Sequence, residues 1–399
     1  MHVSKRVFPE DFIWGAASCP ACSEGETVSD WARLSAPDGS VPDDGPKHWR
    51  RYRYDFRAMA DLGLTAYRFG LDWARLQRAP YGELDRNDGY RYLEMLAELR
   101  SLGIEPWLVL FQDALPRWAA SAGGWLNPET PHWFADFVRR LADLTDGEVR
   151  HWVTVHEPAA YAMACYAWDA YPGGSWGRLD RVRAALARLN EGHALAAAAV
   201  RRRLPGAKVG VSLPGARFVP RRAWHPGDWL AAGLSDWALN RHALGGFLRG
   251  DAGCDFLMLG VGGELGVGVW DSLSLSSGVS SSLPERLRHG NGYADARRRS
   301  GSLWRWIRRS GLPVYLVGRG RGDSADGGLG EVLASCAGLA SGFFYEPLLD
   351  QFDPYRGLSA GGGLLRVDFH SPDRRRDMRG LARRYGRMVR TGVLEGNGE

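Results

Sequence analysis

The stretch HWVTVHEPAA, residues 151–160, decides the fold. An apolar run from His151 to Val155 ends in the triplet His156-Glu157-Pro158. Proline has no amide proton to give a sheet ladder, so Pro158 ends the strand. His156 and Glu157 are thereby delivered to its C-terminal end. In a parallel α/β protein that end is where ligands and chemistry sit. A Glu-Pro taken alone reads as a solvated strand stop, and only its surroundings give it more meaning.

Working outward, seven other short β-like runs alternate with helical patterns. They cover residues 11–18, 66–73, 105–112, 208–213, 255–262, 313–320 and 341–349. Amphipathic or apolar helices are expected at 49–62, 88–102, 131–144, 179–204, 229–248, 303–310 and 329–340, and a basic one at 374–393. Gly63 and Gly103 stop the first two. Eight strand–helix units without a linker predict an α/β fold of one domain over residues 1–399, a single (β/α)8 TIM barrel. The Gly/Ser-rich stretch 263–302 reads as a long loop over its mouth. Two doubly wound domains are the alternative. However, no G-x-G-x-x-G follows a strand and opens a helix, which argues against dinucleotide binding.

Composition narrows the function classes. The chain has 399 residues, 45% hydrophobic and 24% charged, enough for a large core. No apolar run reaches the roughly 18 residues of a membrane span, and MHVSKRVFPEDF has no apolar signal core. No membrane partner and a cytoplasmic location are expected. The net charge of +5 raises the question of nucleic acid. Lysine occurs only at 5, 47 and 208, so 48 of the 51 basic residues are arginines, and they are spread along the chain instead of forming a stripe. No nucleic-acid partner is expected. Five cysteines without an export signal read as reduced thiols. Cys19 and Cys22 form a C-x-x-C pair, but a zinc or redox centre would want a second Cys/His pair. None is evident, so neither metal nor cofactor is expected.

The motifs FPEDFIWGAAS…EG (8–25), DLGLTAYRFGLDWARL (61–76), GGWLNPETPHWFADFVRR (123–140) and HWVTVHEP (151–158) resemble those of glycoside hydrolase family 1, the β-glucosidases. DFLMLG, PVYLVGRG and GFFYEPLLDQFD keep the expected order behind them. The resemblance implies a retaining glycosidase barrel, whose chemistry needs two carboxylates about 5 Å apart. The family's acid/base is the Glu of an Asn-Glu-Pro triplet, which falls on Glu157. Its nucleophile is the Glu of Thr-Glu-Asn-Gly. That motif falls on Val317-Gly318-Arg319-Gly320, so the nucleophile is expected to be replaced by Gly318.

Other positions depart from the family in the same direction. The Asn before the acid/base is His156, and a sugar-binding Gln is Cys22. A His-Trp pair is Gln112 and Asp113. An Asn-Tyr pair falls near Gly260 and Val261. A tryptophan is Glu346, and a Glu-Trp pair is Asp353 and Pro354. Arg68 is kept, as are Trp14, Trp125 and Asn127. An unpaired buried polar group costs about 1–3 kcal/mol, so losing most sugar contacts should abolish recognition of a glucose-like unit.

The leading expectation is a repurposed, non-hydrolytic enzyme in which Glu157 and His156 transfer protons. Its substrate is a small molecule bound in the mouth by Arg68, Gln112, Asp113, Glu346, Arg319, Cys22 and Asp353. Rearrangement, cyclisation, elimination or transfer in a bacterial biosynthetic pathway would all fit. An inverting or glycosyl-transferring enzyme and a ligand-binding pseudoglycosidase are the alternatives. The sequence sets no oligomeric state.

Overall fold

The computed structural model describes residues 8–175, 177–214, 217–237, 245–247, 253–261, 264–267, 307, 309–319 and 329–394. Twelve strands are present among them: β1 Ile13–Ser18, β2 Ala66–Gly70, β3 Glu105–Phe111, β4 His151–His156, β5 Lys208–Leu213, β6 Arg217–Pro220, β7 Phe256–Val261, β8 Glu264–Val267, β9 Val314–Arg319, β10 Gly342–Glu346, β11 Leu365–Val367 and β12 Arg376–Met378. Eight of them close into a parallel barrel in the order β1-β10-β9-β7-β5-β4-β3-β2. All eight apolar runs of the sequence therefore become barrel strands, and the (β/α)8 fold is as expected.

Alternation along the strands separates an inner face from a helix-covered outer one. Ala17, Ala66, Trp107, Val109, Val153, Phe256, Met258, Val317 and Phe344 fill the interior. Trp107 is the hub of this plug: it stacks on His151 at 3.8 Å and meets Phe256, Tyr315 and Phe344 edge-on. The barrel is closed by side chains below, so a ligand can enter only from the end where the strands finish. Outside, Leu179–Arg203 packs on Thr130–Thr145, burying Val182, Leu189, Val200, Phe134, Phe137 and Leu141.

Three elements differ from the sequence expectation. Residues 264–267 are not loop: β8 pairs in parallel with β6 beside the barrel. The remainder of the expected loop, 268–302, lies outside the described residues. The C-terminal basic segment is not helical from its start. Arg376–Met378 pairs with β11, and the helix runs over Gly380–Thr391. Finally, Pro158 opens a helix, Pro158–Tyr166, as well as ending β4. A proline at the first helical position loses nothing, because that amide has no partner in any helix. Among the described residues no helix is long and apolar enough to cross a membrane, and no group of three His, Cys, Asp or Glu is placed to hold a metal ion.

Candidate functional site

His156, the last residue of β4, is buried on the inner face. Its Nδ1 lies 2.6 Å from Nη2 of Arg68 on β2 and 3.2 Å from Oγ of Ser212 on β5. A guanidinium can only donate, so Nδ1 accepts and the ring proton sits on Nε2. Arg68 is fully buried and also faces Glu346, the last residue of β10, with Nη1 3.6 Å from Oε1. One arginine thus spans the mouth from β4 to β10 and fixes both a base and a carboxylate. A buried cation so placed is held by its partners, and removing one weakens the compensation of its charge.

Glu157 follows at once. Its amide donates to the Ser212 carbonyl at 2.8 Å and its carbonyl accepts from Tyr161, so its backbone is pinned between β5 and the next helix. It adopts the left-handed conformation, φ 40°, and its side chain does not cap the helix that Pro158 opens. Glutamate in that conformation carries a steric cost of about 1–2 kcal/mol. Asp113, just past β3, is also left-handed at φ 64°, and its carbonyl accepts the Trp31 indole proton at 3.1 Å.

Gln112 lies at the same rim, buried, and its Oε1 finds no hydrogen-bond partner among the described residues. It ends beside Gly70, where a Cβ would come within 3.3 Å of that oxygen. Cys22 is buried in the short helix Pro20–Ser23 that follows β1, with Sγ 2.7 Å from Cys19 Sγ. Asp353 holds its own turn: Oδ1 accepts from the amides of Tyr355 and Arg356. Arg319 ends β9 in register with Glu346, and its side chain lies outside what is described. Of the candidate residues, His156, Arg68 and Glu346 are joined directly, and Glu157 is joined to them through β5.

Ser212 was missed by the sequence reading. It carries both a side-chain contact to His156 and the backbone contact to Glu157, yet it lies in an unremarkable KVGVSL run. Only the pairing of β4 with β5 identifies it.

Gly318 on β9 has a defined surrounding. Val317 before it points into the barrel interior. A Cβ on Gly318 would lie 2.4 Å from Cζ of Phe343, a buried residue of β10 whose ring packs against Tyr385 on the outer side. No side chain fits at this position without displacing that ring.

The family model described as glycosyl hydrolase family 1 matches residues 4–253. The chain belongs to this family. Among curated family-1 relatives it is 28% identical to Beta-glucosidase A of Thermotoga maritima over 231 residues, covering 55% of this chain and 51% of that protein. It is 27% identical to 6-phospho-beta-glucosidase GmuD of Bacillus subtilis, over 63% of this chain and 56% of the other. The chain spans about half the length of the curated relatives it matches. Its fold is similar to a family 1 β-glucosidase from Thermotoga maritima with a TM-score of 0.81 at 20% identity, covering 98% of this chain and all of the other. The AHE enzyme of Alicyclobacillus herbarius gives 0.82 at 20% identity, covering 97% and 99%. The family-1 backbone is thus kept along nearly the whole chain, whereas the family-model match ends at residue 253, ahead of β7, β9 and β10.

Proposed function

We propose that this family-1 barrel has given up the retaining double displacement. In this reading Glu157, with His156 beside it, moves protons on a small molecule held at the mouth. The observation that carries the reading is the glycine at position 318, which offers no carboxylate. A retaining enzyme needs a second carboxylate about 5–5.5 Å from the first, able to bond to the anomeric carbon. The family motif's Glu corresponds to Gly318, and the direction in which its side chain would leave is filled by Phe343. The family-model match, which stops before β9, agrees with a second half whose sequence has been rewritten on an old frame.

In the proposed mechanism Arg68 holds Nδ1, so His156 presents its Nε2 proton to the ligand. Glu157 acts as the proton acceptor or donor opposite it. Gln112, with a buried acceptor lacking a partner among the described residues, favours a ligand that donates a hydrogen bond at the β2–β3 rim. Rearrangement, cyclisation, elimination or transfer in a bacterial biosynthetic pathway suits such a site. A second reading, residual inverting glycoside chemistry, is favoured by Glu346. That residue brings a second carboxylate to the mouth and would act as base if a water fits between it and Glu157.

The test is a panel of nitrophenyl β-glycosides, with and without azide or formate, beside Glu157→Gln. The native protein should release no nitrophenol without an added anion. Unassisted release with retention of anomeric configuration, followed by NMR, would overturn the proposal. Inverted product that vanishes in Glu346→Gln would support the second reading.

A further inference from the structure

A metal centre needs a second pair of ligands, whereas a thiol–disulfide couple needs only its own two sulfurs, so the expectation that a redox site here would want a second Cys/His pair does not hold. Cys19 ends β1's excursion to the mouth, and Pro20–Ser23 forms one helical turn behind it. The amides of Cys22 and Ser23 both donate to the Cys19 carbonyl, at 3.3 and 3.0 Å, so the turn is closed by the backbone and does not depend on the sulfurs. This turn places Cys22 Sγ against Cys19 Sγ, 2.7 Å apart, with neither in a disulfide. The spacing i, i+3 on one turn is what thiol–disulfide chemistry needs, because the two side chains face each other without backbone movement.

The place of the pair matters as much as its geometry. Pro20 presses on Gly70 at the end of β2, where a Cβ would lie 2.5 Å from the proline ring and 3.3 Å from Gln112 Oε1. The dithiol turn and Gln112 therefore share one corner of the mouth. Phe352, next to Asp353, donates its amide to the Cys22 carbonyl. Cys165 and Cys254 are buried elsewhere, against Tyr161 and His193, and burial pushes both thiols up, that of Cys254 to about 12.

We propose that Cys19 and Cys22 form a reversible dithiol–disulfide couple at the ligand-facing end of the barrel, oxidised by a small hydroperoxide. One thiolate attacks the peroxide oxygen: an S–O bond forms, the O–O bond breaks, and the alkoxide or hydroxide released takes the thiol's proton. The second thiol then attacks the sulfenic sulfur. The S–S bond forms, the S–O bond breaks, and hydroxide leaves as water with the second proton. Two electrons pass from the sulfur pair to the peroxide, and a reducing dithiol reverses the sequence. The couple does not depend on any catalytic role for Glu157.

The experiment treats the folded, full chain with a slight excess of hydrogen peroxide, then denatures, alkylates and maps it by mass. Alkylatable thiols should fall from the chain's five to three, and the tryptic peptide 7–33, which carries both cysteines, should lose two hydrogens in mass. Dithiothreitol should restore all five. In the Cys165→Ser/Cys254→Ser/Cys336→Ser variant the two remaining thiols should fall to none with the same mass loss in that peptide, whereas Cys22→Ser should give no disulfide within it. Five alkylatable thiols after treatment would overturn the proposal. So would oxidation that stops at a sulfinic or sulfonic acid on one cysteine.

Discussion

Arg68 shows how much a single buried side chain organises here. It donates to His156 and faces Glu346, and all three are nearly removed from solvent. Breaking a buried pair by deleting one member typically costs about 3–5 kcal/mol, whereas replacing both by apolar groups costs far less. Arg68→Met should therefore lower unfolding free energy by about that amount, and Arg68→Met/Glu346→Met should recover most of it. Urea denaturation of the cycle decides, and simple additivity would mean the two residues are not coupled. At Glu157 the left-handed backbone predicts an inverted ranking. Glycine tolerates φ 40° and alanine does not, so Glu157→Gly should be about 1 kcal/mol more stable than Glu157→Ala, the reverse of the order in a helix or strand. At Gly318 the outward-facing ring of Phe343 predicts that Gly318→Glu costs about 1–3 kcal/mol through overpacking and gives no retaining glycosidase turnover. Thermal melts and the nitrophenyl panel measure both. These residues were legible in the sequence as types and positions. Their partners were not, because a contact such as Arg68 to His156 spans 88 residues and depends on strand register.

At the scale of elements, the turn after β1 is tied to the helices behind β2. Glu24 is buried, accepts from the Tyr92 hydroxyl at 2.9 Å and lies 3.4 Å from Arg75 Nε. Burial raises its carboxyl from 4.5 to about 7, against the opposing pull of Arg75. A raised carboxyl means that the folded state holds a proton the unfolded state has released. The associated stability is fully present below the unfolded value near 4.5 and is lost as pH rises towards 7. Glu24→Gln cannot ionise, so its melting temperature should gain on the native protein between pH 5 and 7. A constant difference across that range would show that Glu24 does not titrate there. Elements were also where the sequence reading slipped. Pro158 signals a strand end and a helix start equally well, and the helix it opens is apolar nearly all round, so no period marked it. Residues 264–267 read as loop in the sequence because a four-residue strand in a separate two-stranded sheet needs only a partner, and its partner, Arg217–Pro220, lies far away in sequence.

For the molecule as a whole, the barrel is closed by the pairing of β1 with β10, so the two ends of the chain's strand series complete one sheet. A fragment ending at residue 253, where the family-model match stops, would hold only the barrel strands β1 to β5, with both edges of that sheet bare. Open edges and an unfilled interior, without Phe256, Met258, Val317 and Phe344, should leave it aggregated or unfolded, as circular dichroism and size exclusion would report. By itself the sequence determined the eight-stranded parallel fold, the position of His156 and Glu157 at a strand's C-terminal end, and the absence of a carboxylate at Gly318. It could do so because hydrophobic period, proline stops and residue identity are local properties. Tertiary structure alone decided that Arg68 joins His156 to Glu346, that Ser212 supports both residues of the β4 terminus, and that Phe343 occupies the space beside Gly318. It also decided that the turn carrying Cys19 and Cys22 sits beside Gly70 and Gln112 at the mouth. Those outcomes depend on which strands become neighbours and in what register, and closure of the barrel sets both only once the whole chain has folded.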